Sequence, residues 1–98
     1  MAIRHVITIE VAAGKAAAFA EAFAALRATV VREEGCVQYE LFQSRDDPDR
    51  MVILERWASQ ELLDRHMAAE RSGDTALVDA VVALWAPGST PTVERFES

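Results

Sequence analysis

The chain is 98 residues long, 51% hydrophobic and 27% charged, with a net charge of −6; it is long enough for one folded domain and too apolar for a disordered one. Its basic residues are nine arginines and Lys15, scattered among sixteen acids, which argues against a nucleic-acid partner or an anionic membrane surface, both of which need a basic face. No run approaches the roughly 18 apolar residues of a membrane span, and Met1–His5 begins no signal-type segment, so the expected location is cytoplasmic.

The single cysteine, Cys36, rules out an internal disulfide and a cysteine cage for zinc, since each needs two or more thiols. It is expected as a small buried hydrophobe. A chain of this size buries only roughly 60 to 65 per cent of its unfolded surface by itself, so a second copy covering part of the remainder would add stability.

From Ile3 to Val11 the residues alternate. Ile3, His5, Ile7, Ile9 and Val11 share one face of a first strand, and Arg4, Val6, Thr8 and Glu10 share the other. After Ala12-Ala13-Gly14 the period changes to about 3.6, with Phe19, Phe23, Leu26 and Val30 on one stripe of an alanine-rich helix that is expected to end at Gly35. A second strand runs from Cys36 to about Arg45, with Val37, Tyr39, Leu41 and Gln43 on one side. Asp46-Asp47-Pro48-Asp49 then reads as a turn. Met51 to Trp57 is apolar on both faces apart from Glu55 and Arg56, which predicts a strand in the middle of a sheet.

Ser59 is a predicted N-cap for a second helix to about Arg71, with Leu62, Leu63, His66 and Met67 on its inner stripe. Asp74 is predicted to cap a third helix reaching Trp85, and Thr92 to Phe96 reads as a last strand. This order predicts an α+β fold: a ferredoxin-like antiparallel sheet in one domain, with helices on one face. The other face carries Val6, Phe42 and Leu54, and a second copy packed sheet to sheet would cover it.

Several segments together resemble the antibiotic biosynthesis monooxygenase family, which includes quinol monooxygenases. They are Val11-Ala12-Ala13-Gly14-Lys15, Glu33-Glu34-Gly35-Cys36 with Tyr39 beyond it, Asp47-Pro48, Glu55-Arg56-Trp57, and Leu62-Leu63-Asp64-Arg65-His66-Met67. Each is weak alone; the specificity lies in their order and spacing over nearly the whole chain. The resemblance implies a homodimeric α+β barrel with a ligand cavity between sheet and helices. It also implies oxidation of an aromatic or quinol-like substrate by molecular oxygen without metal or flavin, although other members degrade haem or isomerise small molecules. The haem degraders use an asparagine, and this chain has none; they also place an iron-ligating histidine about ten residues past the position of His66, near Ala76 here. Haem is therefore disfavoured, and no cofactor is expected.

His66 is the leading candidate base, since an imidazole titrates near neutrality and the inner stripe would bring it to the cavity. It reads equally as a core histidine bonded to a strand. Glu55 is the candidate partner that would orient it or hold its charge. Trp57 and Tyr39 serve either as aromatic walls for a flat substrate or as plain core, and His5 is a candidate at the rim. The acid pairs Glu33-Glu34 and Asp46-Asp47 read as solvated charges with no metal-ligand spacing. Three functions fit these residues: a cofactor-independent monooxygenase, an oxygen-independent isomerase or decarboxylase, and a module that binds a small molecule without changing it.

Overall fold

A computed structural model describes all residues, 1–98. Its elements in chain order are β1 (Ile3–Glu10), α1 (Ala16–Val30), β2 (Cys36–Gln43), β3 (Arg50–Trp57), α2 (Gln60–Glu70), α3 (Ala76–Val82) and β4 (Thr92–Glu97). The four strands form one antiparallel sheet in the order β2-β3-β1-β4, the ferredoxin-like α+β arrangement. The most apolar strand, β3, lies inside the sheet, where both its edges are paired.

Register fixes the two faces. Ile3, His5, Ile7 and Ile9 of β1 stand opposite Trp57, Glu55, Ile53 and Met51 of β3, and Tyr39 and Leu41 of β2 continue the row beyond Glu55 and Ile53. The helices cover this inner face. Phe19, Phe23, Leu26 and Val30 of α1 are all buried against it, and Phe23 stacks on Tyr39 with ring centroids 5.1 Å apart. Arg27 donates from Nε to the Tyr39 carbonyl at 2.7 Å, tying α1 to β2.

Local details depart from the sequence expectations for physical reasons. The first helix ends at Val30, five residues before Gly35 reaches φ +86, so Gly35 turns the chain into β2 and does not cap the helix. A β-bulge lies between Cys36, which pairs with Trp57, and Gln38, which pairs with Arg56. Val37 is the extra residue and is 59% exposed, off the face it was expected to share with Tyr39. Cys36 is only partly buried. Ser59 caps α2 as expected, accepting from the Leu62 N–H at 3.3 Å, but the helix buries only Leu63 and His66 fully and leaves Met67 at the surface. The third helix begins at Ala76 and stops at Val82, because Trp85 is drawn into an isolated bridge with Val11. Asp74 lies before its cap position, Thr75, and accepts from the Ala76 N–H. No helix is long and apolar enough to cross a membrane.

Candidate active site

Between the inner face of the sheet and helices α1 and α3 lies a cavity of about 260 Å³. This is close to the lower end of ligand pockets, roughly 300 Å³. Its wall is apolar, with Ile7, Ile53, Leu26 and Val81 among its residues, and its polar members are Tyr39, Glu55 and Glu70, with Trp85 beside them. The indole Nε1–H of Trp85 is buried and unpaired. None of the lining residues is basic, so an anionic ligand would meet no counter-charge; a neutral ligand that donates hydrogen bonds to carboxylates is the better fit.

Glu55 reaches this cavity because the pleat of β3 turns Trp57, Glu55 and Ile53 to one side. It is 4% exposed, accepts from the Trp57 indole N–H at 3.2 Å, and has the His5 Nδ1 at 3.4 Å from the same oxygen. Burial pushes its carboxyl above the usual carboxylate range; the nearby His66 and the Trp57 hydrogen bond offset part of this, while Glu70 and Glu33 add to it. Glu70, in the last turn of α2, is also raised, chiefly by burial and with His66 opposing. Tyr39 is pushed upward by burial and by the carboxylates around it, so its hydroxyl stays protonated. His5 moves down through burial and the neighbouring charges of Arg95 and His66.

His66 is 2% exposed and stands one side chain behind the cavity wall. Its ring stacks on Trp57 with centroids 4.5 Å apart and meets Tyr39 edge-on at 6.0 Å. Both Glu33 oxygens lie 3.1 Å from Nδ1, and a Glu70 oxygen lies 3.4 Å from Nε2. The expected pairing of Glu55 with His66 is therefore replaced: Glu55 bonds to the indole on which His66 stacks, and the imidazole has two other carboxylates. Of the five candidates from sequence, Tyr39 and Glu55 line the cavity, while His66, Trp57 and His5 support those that do.

Sequence reasoning missed Glu70 and Glu33. Glu70 is four residues after His66 on the same helix, a spacing that places the two side chains together and was readable. Glu33 gave no such sign. It follows α1 in a short turn, and only the tertiary fold brings its carboxylate to α2. No group of three or more His, Cys, Asp or Glu side chains is arranged to hold a metal ion.

Comparison with known proteins agrees with this architecture. No curated protein matches the chain in sequence. Among solved structures, SnoaB, a cofactor-independent oxygenase from Streptomyces nogalater, superposes with a TM-score of 0.83 at 25% identity, over 99% of this chain and 92% of that one. A Caulobacter crescentus CB15 protein provisionally named an antibiotic biosynthesis monooxygenase is 29% identical, with a TM-score of 0.83 over 99% of this chain and 89% of that one. A conserved protein from Methanosarcina mazei Go1 gives 0.82 at 24% identity, over 98% and 91% of the two chains. The family model for antibiotic biosynthesis monooxygenases matches residues 2–76, which include Tyr39, Glu55, His66 and Glu70, and the chain belongs to that family.

Proposed function

We propose that the protein is a cofactor-independent monooxygenase acting on a small, neutral, electron-rich phenol or hydroquinone. The observation that carries this reading is the pairing, in one apolar cavity, of two carboxyls that burial has raised toward neutrality, Glu55 and Glu70. A general base is most effective when its pKa approaches the working pH. The 25% identity to SnoaB, described as a cofactor-independent oxygenase, supports the oxygen chemistry.

In this reading a carboxylate takes the phenolic proton, and the electron-rich anion passes one electron to oxygen. The resulting phenoxyl radical and superoxide join at an open ring carbon to form a C–O bond. Loss of the proton on that carbon, with cleavage of the O–O bond, leaves a carbonyl; the departing oxygen carries away both substrate protons as water. Overall, phenol and oxygen give quinone and water. The protonated Tyr39 hydroxyl and the unpaired Trp85 N–H are the donors that orient the substrate oxygen, and the apolar wall keeps bulk water from the radicals. His66, Trp57 and His5 hold the two carboxyls in place.

The assembly proposed is a homodimer through the outer sheet face, where Val6, Val52 and Leu54 are flanked by Phe42 and Phe96, each of these two 48% exposed.

The test is oxygen uptake by purified, metal-free protein supplied with 1-naphthol. Wild type should exceed the buffer rate, and Glu70→Gln and Glu55→Gln should each lower kcat by on the order of 100-fold or more, as for loss of a general base. Uptake no faster than buffer would overturn the oxygenase reading. Turnover of a small carbonyl compound under strict anaerobiosis would point instead to proton transfer without oxygen.

A further inference from the structure

The cavity does not end at Glu70. Beyond it lies a smaller hollow of about 110 Å³, bounded by α1 and by the chain that runs from the end of α2 into α3. The two spaces share Leu26, Glu70 and Val78. Leu26 is buried, whereas Thr29 and Asp74, which belong to the outer hollow alone, are exposed, and Leu77 beside them is 39% exposed. The hollow is thus a vestibule, with solvent on one side and the cavity on the other.

Helix geometry explains why the cavity continues in this direction. Leu26, Thr29 and Val30 follow one stripe of α1 at i, i+3 and i+4, so the wall that Leu26 gives the cavity runs on toward the end of that helix. On α3, Val78, Val81 and Val82 line the cavity, while Leu77 and Val78, in its first turn, line the vestibule. Glu70 is the last residue of α2 and stands at the neck between the two spaces. Its carboxylate lies 3.4 Å from His66 Nε2 and accepts no hydrogen bond, so the side chain can turn aside without breaking one.

We propose that this vestibule is the passage by which ligand enters and leaves the cavity, with Glu70 at its neck and with Thr29 and Leu77 at its mouth setting the rate. The proposal rests on the cavity's being the ligand site, as read above, and not on the chemistry done there. It makes Glu70 the first cavity group that an entering phenol meets, so the hydroxyl arrives beside a carboxyl placed to take its proton. Thr29 and Leu77 do not line the cavity itself. A side chain that only narrows the way in raises the barrier and leaves the free and bound states as they were. It therefore changes the association and dissociation rates by one factor and leaves Kd alone, whereas residues that hold a ligand act mainly on dissociation.

The test is stopped-flow binding of 1-naphthol to the whole protein under nitrogen, followed by the change in naphthol emission as the ring leaves water; without oxygen no turnover intervenes. Thr29→Phe, at an exposed position of α1, should slow association and dissociation alike by roughly fivefold or more, with Kd within about twofold of wild type. Leu77→Ala, which widens the mouth, should speed both by about twofold or more. Unchanged rates in both variants would overturn the passage and leave the exposed Val82, at the opposite end of α3, as the way in. A change in Kd carried by one rate alone would make Thr29 and Leu77 part of the binding site and would equally end the proposal. Binding by wild type with no oxygen uptake in air would sink the oxygenase reading alone, and no binding by wild type would sink both.

Discussion

Glu55 sits where a charge is expensive, and its neighbours explain how it is tolerated. His66 lies nearby, the indole of Trp57 donates to Glu55, His5 approaches the same oxygen, and the remaining surroundings are apolar wall and other carboxylates. Burial raises its pKa, so the folded protein binds this proton more tightly than the unfolded chain does. The stability that follows is present below the ordinary carboxylate value and is lost as pH rises through the raised one. Glu70 acts with the same sign, whereas lowered His5 acts with the opposite one: its contribution is present above the ordinary imidazole value and is lost as pH falls through its folded value. Glu55→Gln keeps an acceptor oxygen for Trp57, so at pH 4, below the ordinary carboxylate value, its unfolding free energy should lie within about 1 kcal/mol of wild type, the worth of one hydrogen bond. By pH 8 the variant should have gained relative to wild type in urea denaturation. A difference that stays constant between the two pH values would show that Glu55 is not strained by its charge.

At the scale of elements, residue spacing made α1 legible: Phe19, Phe23, Leu26 and Val30 are all buried as their period implies. The inner face of β1 and the interior place of β3 were legible for the same reason, because alternation and apolar content are local properties. The bulge at Val37 was not, since it is set by pairing with β3 and leaves no mark in β2 alone. The candidate site shows the same division. Tyr39 and Glu55 were found through their strand pattern, while Glu33 joins His66 across 33 residues of chain, a contact that no period encodes. Gly35 links these elements. Its carbonyl accepts from the Ala58 N–H at 2.8 Å, and a Cβ placed on it would lie 2.5 Å from Cδ1 and 2.8 Å from Cβ of Leu62. Leu62 stands one turn before His66 on α2, so a side chain at position 35 would press that helix away from the sheet. Gly35→Ala combines a left-handed backbone with overpacking and should cost about 2–4 kcal/mol. Gly14→Ala, with φ +75 and nothing within 4 Å, should cost only the backbone part, about 1–2 kcal/mol. The former should also change the tryptophan fluorescence as His66 shifts from Trp57. Equal losses for the two variants would mean that α2 yields freely at Leu62.

The whole molecule has one covered sheet face and one open one. On the open side Val6 pairs with Leu54 and Phe42 with Val52, while Phe96 stands beside Arg4 at the β4 edge. An apolar centre with Arg4, Glu40 and Glu94 around it has the composition of a self-associating surface, hydrophobic within and polar at the rim. Both β-faces of such a sheet are needed: the inner one closes on its helices and cavity, so only the outer one is free to meet a second copy. A stable homodimer needs on the order of 1,200–2,000 Å² of buried surface in total. Leu54 is near the middle of the patch, on an interior strand, where a charge would be buried on association but solvated in the monomer. Leu54→Glu should therefore leave the far-UV circular dichroism of the fold intact and weaken association by about 3 kcal/mol or more, the cost of burying an unpaired charge twice over at a two-fold axis. In sedimentation equilibrium at micromolar concentration wild type should then weigh twice the 10.8 kDa of one chain, and the variant should weigh 10.8 kDa. The melting temperature of wild type should rise with protein concentration, and that of the variant should not, because only a dimer links folding to mass action. A wild-type mass of 10.8 kDa with a concentration-independent melting temperature would leave the outer face as solvent-exposed surface and the cavity complete within one chain.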